Sequence, residues 1–281
     1  MIAEVVFTKV SGAGNDFIII DNRADDLPSD KSALAQTLCS RHFGVGADGL
    51  LLLESSSRAH FAMKYYNSDG SYGGMCGNGG RCIARYAFVK GLAPMEMSFE
   101  ALDFLYHAEV LVDSVILTMK DPTDLREDFE VRLGKEVHRG FFLNTGSPHF
   151  VEFVDDVESV QVERIGRSIH RDPVFLDEGT NVNFVEVTSN DSIRLRTYER
   201  GVETETLACG TGSVAAAIIS HLHRRLKFPV TVHVKSGECL KVNATSDGDT
   251  LRSPKLEGSA HILFTGRLRF DTAKRTIADL A

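Results

Sequence analysis

MCGNGGRCIARYAFVKG at residues 75–91 and ACGTGSVAAAIISHL at 208–222 are two versions of one pattern. In each, a cysteine is followed by Gly, a small polar residue and a second Gly, and then by residues with helical spacing. The spacing predicts helices over Arg81 to Lys90, closing at Gly91, and over Val214 to Leu226, closing before Pro229. In the second, Ala215, Ala216, Ala217, Ile218 and Ile219 run in succession, so apolar residues cover most of the circumference. A helix of that kind is buried on all sides. A sheet curled around it would bury it, once per copy of the pattern.

Working outward, three further matches keep the same order. Asn15, in SGAGN, corresponds to His149 in TGSPH, an offset of 134; Asp48, in GAD, corresponds to Asn181 in GTN, an offset of 133. Asn67 after Tyr66 corresponds to Glu199 after Tyr198, an offset of 132, and Cys76 to Cys209, an offset of 133. Four ordered matches with nearly constant offset indicate an internal duplication. Between them, Val5 to Asp21, Phe61 to Tyr66 and Ile193 to Tyr198 read as strands, with further strands at Ser114 to Met119, Phe141 to Leu143, Val230 to Val234 and His261 to Phe264. Lys31 to Cys39 and Val160 to Ile169 have helical spacing. Helices are too few to cover both faces of an all-parallel sheet, which disfavours an all-parallel α/β fold. The expected class is α+β, with two pseudo-symmetric domains: 1–120 plus about 265–281 carrying Cys76, and 121–264 carrying Cys209. The polar stretch from Lys120 to Asp128 is the expected boundary, and the tail left over by the repeat is expected to return to the first half.

With 43% hydrophobic and 25% charged residues, the 281-residue chain is globular in composition. The start MIAEVVFTKV reads as a strand and not as a secretory leader, and the five cysteines form no C-x-x-C pair. Reducing cytoplasm is therefore the expected compartment. No run approaches the ~18 apolar residues of a membrane span, and a net charge of −8 without a basic block argues against nucleic acid. Gly44-Val45-Gly46-Ala47-Asp48-Gly49 matches the dinucleotide fingerprint but lacks a strand before it and a helix after it, so it is read as a turn. Neither metal-ligand spacing nor a cofactor motif is found, and none of either is expected.

Cys76 and Cys209 each stand just ahead of a helix whose first N–H groups have no intrahelical partner. Such a position stabilises a thiolate and attracts anions, and the glycines leave the backbone open to a ligand carboxylate. If the halves face each other about a pseudo-dyad, two acid/base groups converge, as inversion at a carbon requires. Cysteine is ordinarily a small buried hydrophobe, and Cys39, Cys82 and Cys239 are read that way. His221 and His223 are read as surface residues.

The segments SGAGNDF (11–17), GVGADG (44–49), YNSDGS (66–71), MCGNGGR (75–81), GSPH (146–149), GTNVNFV (179–185) and YERGVETETLACGTG (198–212) together resemble the PLP-independent diaminopimelate epimerases, nearly end to end. The resemblance implies two domains, each a β-barrel-like sheet around a central helix. It also implies a homodimer and a cofactor-free two-base exchange of LL- and meso-2,6-diaminoheptanedioate, a step toward lysine and peptidoglycan. By resemblance Cys76 and Cys209 are acid and base, and Gly77-Asn78 and Gly210-Thr211 bind the reacting carboxylate. Asn15, Asn67, Asn181 and Arg200 would hold the distal end; Glu199 and His149 would set the cysteine pKa values or bind the reacting ammonium. Gly49 stands where many members have Gln, and Ser147 where some have Asn. A proline-type racemase would share the paired cysteines but usually reads MCGHG, against Asn78 here; a non-catalytic amino-acid-binding protein is the other alternative.

Overall fold

Ile18-Ile19-Ile20 and Leu50 to Leu53 are continuous apolar runs because each strand is buried on both faces. The computed structural model describes residues 2–175, 179–247 and 250–279. In chain order the elements are β1 (Ile2–Gly12), β2 (Asn15–Asp21), α1 (Lys31–Cys39), β3 (Gly49–Glu54), β4 (Phe61–Asn67), α2 (Gly77–Val89), β5 (Glu96–Ala101), β6 (Phe104–Val110) and β7 (Val115–Thr118). Then follow β8 (Thr123–Leu133), β9 (Glu136–Asn144), β10 (Pro148–Phe153), α3 (Val162–His170), β11 (Asn181–Ser189), β12 (Ser192–Glu199), β13 (Thr204–Thr206) and α4 (Gly210–Arg224). The chain ends with β14 (Val230–Val234), β15 (Cys239–Asp247), β16 (Thr250–Gly258), β17 (His261–Asp271) and β18 (Thr276–Ala278).

Two compact units emerge, 1–117 with 259–281, and 118–258. The chain thus changes unit at 117/118 and 258/259, where the sequence placed the changes at 120/121 and 264/265. In the first unit the neighbours run β18, β17, β1, β2, β3, β4, β5, β6, with β2–β3 and β4–β5 parallel. In the second they run β8, β9, β10, β11, β12, β14, β15, β16, with β10–β11 and β12–β14 parallel. From β17 or β8 onward the order of parallel and antiparallel pairings is the same. The register repeats too: Phe17 pairs with Gly49 and His149 with Asn181, both 32 residues on (49 − 17 and 181 − 149). The C-terminal β17 fills in the first unit the place that β8 fills in the second. For that reason 120–128, read as a polar boundary loop, is largely strand, with Asp124 and Asp128 at positive φ where its register shifts.

Each sheet buries one helix on its inner side and one on its outer side. Helix α2 touches β1, β2, β3, β4, β6 and β17, and α4 touches β9, β10, β11, β12, β14, β15 and β16. Outside, α1 sets Leu34, Ala35 and Leu38 on Ile18, Ile20, Leu50 and Leu52, while α3 sets Val162 and Ile169 on Phe150, Val182, Phe184 and Tyr198. Gly166 permits that second contact, since a Cβ there would lie 2.4 Å from the Tyr198 Cβ. No helix among the described residues is long and apolar enough to cross a membrane.

Candidate active site

Both central helices begin four residues earlier than their spacing suggested, directly after the cysteines, at Gly77 and Gly210. Glycine's low helix propensity hid these first turns; tertiary contacts override it. A Cβ at Gly80 would sit 2.8 Å from the Met75 Cε, and one at Gly212 would sit 2.5 Å from the Asn183 Oδ1. Cys76 and Cys209 are therefore the N-caps themselves, in extended conformation, φ −124° and −118°.

In the first unit the Gly79 N–H donates to the Cys76 Sγ at 3.4 Å, so the thiol occupies the usual capping acceptor position. Asn78 donates to the Asn15 Oδ1 at 2.6 Å, and Asn15 donates to the Asp48 Oδ2 at 3.0 Å. Behind Asn78 lies Arg81, a fully buried cation on an otherwise apolar helix face, which donates to the Asn78 Oδ1 at 2.8 Å. Asp48 and Asp16 both receive the Arg41 guanidinium, and Lys9 reaches Asp16 at 2.6 Å. Burial works to raise the Asp16 pKa, but hydrogen bonds from Arg41 and Lys9, with their charges, leave it below its ordinary value. Asn67, at the end of β4, donates through Nδ2 to the Ser71 Oγ at 2.9 Å. Gly44 to Asp48 forms the expected turn, with Gly46 at φ +78° and its carbonyl accepting from Lys9. Gly49 has no room for a side chain: a Cβ would lie 2.4 Å from the Tyr65 ring.

In the second unit Cys209 is nearly buried, 5% exposed, with its Sγ 3.5 Å from the Thr211 Oγ1. The Thr145 hydroxyl donates to the Thr211 carbonyl at 2.9 Å, tying the TGSPH turn to the helix start. His149, fully buried, lies beside Asn183, whose Nδ2 is 3.1 Å from the His149 Nδ1. Burial, and then the charge of Arg200, push the His149 pKa down to about 3, so the ring is neutral. Asn181 donates to the Ser147 Oγ (2.9 Å) and the Pro148 carbonyl (2.8 Å) and accepts the Arg200 N–H (2.9 Å). Glu199 accepts from the Thr206 hydroxyl at 2.9 Å.

The first unit thus gathers Cys76, Gly77, Asn78 and Asn15 around one helix start, while Asn67 ends β4 and bonds Ser71. The second gathers Cys209, Gly210, Thr211, His149 and Asn181, with Glu199 ending β12 and Arg200 just after it. Two residues escaped the sequence reading, Arg81 and Asn183. The signal for Asn183 was its position two after Asn181 on one strand, hence on the same face; for Arg81 it was a charge amid a helix otherwise destined for burial. Of the cysteines read as packing, Cys39 and Cys82 are buried, whereas Cys239 is exposed, its Sγ 3.2 Å from the His233 Nδ1. The reason is strand alternation, since Leu240 takes the inward position. His221 and His223 are only half exposed, stacked on Phe228 and Phe141.

The duplicated sheet-and-helix units share their fold with solved epimerase, racemase and phenazine-biosynthesis structures. Among solved structures, a hydroxyproline epimerase from Agrobacterium vitis superposes with a TM-score of 0.69 at 17% identity, covering 95% of this chain and 93% of that one. A phenazine biosynthesis protein of the PhzF family from Bacillus anthracis gives 0.75 at 14% identity, covering 95% and 99%. At such identities the likeness is one of fold. The model of the family described as Diaminopimelate epimerase matches residues 7–116 and 141–261. The diaminopimelate epimerase of Aquifex aeolicus is 43% identical over 93% of this chain and 97% of its own length, and that of Chlorobaculum tepidum is 43% identical over 92% and 99%. The chain belongs to the diaminopimelate epimerase family.

Proposed function

We propose that the chain interconverts LL- and meso-2,6-diaminoheptanedioate by a two-base reaction of Cys76 and Cys209, without a cofactor. The observation that carries this reading is that two cysteines cap two helices at equivalent positions of a duplicated unit, in a chain of this family. Inversion needs one group to take the α-proton and another to return one to the opposite face. With no electron sink, the developing carbanion must be stabilised through its carboxylate. The first N–H groups of α2 and α4, at Gly77-Asn78 and Gly210-Thr211, are donors of the kind that stabilise an enediolate-like charge.

Asn15, Asn67, Asn181 and Arg200 hold the distal amino-acid end in this reading, with the guanidinium forking its carboxylate. Glu199 and His149 attend the reacting centre. Gly49, sterically barred from carrying the Gln of many relatives, leaves that contact to other residues. We further assign the chain to reducing cytoplasm as a homodimer, for which light scattering should give twice the 30.9 kDa chain mass.

Incubation with LL-diaminopimelate in deuterated water tests the reaction. Formation of the meso isomer with deuterium at the inverted carbon is expected. Binding without exchange would replace the enzyme by an amino-acid-binding protein, and exchange into proline would make it a proline-type racemase.

A further inference from the structure

We propose that Asn183 is a positioning residue that fixes His149 as a neutral hydrogen-bond donor through Nε2, so that this histidine serves a lone-pair acceptor, a substrate carboxylate or a thiolate, and neither an ammonium nor a proton in transit. The inference rests on the epimerase reading above for what the donor serves, but not for the state of the ring.

The argument begins with the Asn183 amide. Which end is nitrogen is a matter of hydrogen bonding, and here a backbone group decides it. Asn183 lies 3.0 Å from the Phe150 carbonyl, which can only accept, so the atom facing it is Nδ2. The Oδ1 on the other side accepts the Thr197 hydroxyl at 3.0 Å. One Nδ2 proton goes to Phe150; the second points at the His149 Nδ1, 3.1 Å away. Nδ1 therefore accepts, and in a neutral imidazole the proton must sit on Nε2.

Burial isolates this contact. Asn183 and His149 are both fully buried and Thr197 is nearly so, which keeps bulk water from Nδ1. The His149 Nε2 has no partner among the described residues. A buried N–H without an acceptor is costly and calls for one. What completes the site must present a lone pair to that proton, which the substrate carboxylate and a thiolate both do and an ammonium cannot. The reacting ammonium is thereby left to Glu199. Asn183 also lies under the first turn of α4, its Oδ1 filling the space that a side chain at Gly212 would need. One amide thus couples the tautomer of His149 to the turn that begins at Cys209.

The test uses the full-length enzyme labelled with 15N-histidine, the His149 signals being assigned by their loss in His149→Gln. Two-bond proton–nitrogen correlation spectra should show an Nε2–H tautomer that does not titrate across about pH 5 to 8, the range in which an ordinary histidine changes charge. Asn183→Asp replaces the donor facing Nδ1 by an acceptor. The proton should then appear on Nδ1, and kcat should fall by about 10²-fold, the usual loss for one active-site donor. Thr197→Val leaves the Phe150 and His149 contacts of Asn183 in place, so it should keep the wild-type tautomer and lose less activity. A shift of the Nε2 proton on adding substrate to Cys209→Ser points to the carboxylate; a shift on thiol titration without substrate points to a thiolate. An Nδ1–H or imidazolium form in wild type, or an unchanged tautomer in folded Asn183→Asp, overturns the proposal. The wild-type spectrum requires neither a tolerated substitution nor turnover, so a lost epimerase reading and a lost tautomer assignment would be told apart.

Discussion

Cys76 caps a helix braced by charge, with Arg81 behind Asn78 and the Arg41, Lys9, Asp16 and Asp48 group behind Asn15. Cys209 caps a helix braced by neutral groups, the His149, Asn183 and Thr197 chain and the Thr145 hydroxyl. The backbone plan is the same in both, down to the 32-residue register of the parallel strand pair. Duplication has therefore kept the position of the thiol while its supports diverged. An ionic brace holds its dipoles firmly while its carboxylates stay ionised, whereas a neutral buried one is sensitive to any lost hydrogen bond and yields in acid as the unfolded histidine takes up a proton.

If the thiols are equivalent in role despite these different supports, Cys76→Ala and Cys209→Ala should each abolish epimerisation. A positioned acid or base is worth about 10²- to 10⁴-fold, and here each direction needs both. Turnover measured by deuterium incorporation should disappear into background in either variant. Retention in one of them would break the equivalence and leave a single-base enzyme.

Next in size is the charged brace itself. Arg81 is the largest fully buried side chain among the described residues, and Arg81→Leu removes the donor to the Asn78 Oδ1 in a place closed to water. A loss of about 3 kcal/mol in urea unfolding is expected, from the missing hydrogen bonds together with imperfect repacking. Thr197→Val, the matching insult to the neutral brace, should cost about 1 kcal/mol. Equal costs would mean that the two supports differ in chemistry but not in weight.

Why these supports were hard to foresee follows from what a sequence pattern encodes. The duplication, the two central helices and the capping cysteines were legible because each recurs with a fixed offset. Strand positions were legible where apolar runs or alternation marked them. Helix starts at Gly77 and Gly210 were not, because their glycines are present for close packing and have little helix propensity of their own. Nor was β8 from Thr123, whose exposed residues read as loop; its strand character comes from pairing with β9, a contact local pattern does not carry. Asn15, Asn181 and His149 were reached through family resemblance, as distal-end and reacting-centre residues; that Asn15 bonds Asn78 beside Cys76 lay beyond it. Arg81 and Asn183 lay within the quoted motifs, yet their burial depends on tertiary packing.

Gly49 sharpens the contrast between the halves at the strands. Its place in β3 is held open by Tyr65, which itself packs edge-on against Phe17. Gly49→Ala should destabilise the protein by about 1–3 kcal/mol through overpacking. Tyr65→Leu should recover part of that in a double-mutant cycle, whereas additive losses would show that the backbone, not the ring, sets the limit.

Acid should discriminate the braces more gently. Asp16 keeps a folded pKa below its unfolded value, because Arg41 and Lys9 outweigh the effect of burial. A depressed carboxylate contributes stability in full above the unfolded pKa and loses it as pH falls through the folded one. The window therefore lies below about pH 4. Urea midpoints should decline there in wild type, and Asp16→Asn should be less stable at neutral pH yet flatter in acid. His149 adds its own slope at higher pH: its folded pKa of about 3 lies below the ordinary histidine value of about 6.5, so its contribution is complete above about pH 6.5 and is lost as pH falls toward about 3.

The smallest effect is expected at Cys239, where the thiols that cap no helix can be told apart. Burial pushes the Cys39 thiol up to about 12, so at neutral pH it is neither ionised nor reachable. Cys82 is buried as well, packed so closely beneath the first hairpin turn that a Cβ at Gly12 would come within 2.8 Å of its sulfur. Cys239 is exposed on β15, with the His233 Nδ1 at 3.2 Å, so a water-soluble disulfide reagent should modify it while Cys39 and Cys82 stay untouched. Cys239→Ser should remove that reaction and leave kcat within about twofold, as surface substitutions away from a site ordinarily do. Peptide mapping after brief labelling decides the matter: label on Cys39 or Cys82 before Cys239 would mean that the first unit opens more readily than its buried, charge-braced helix allows.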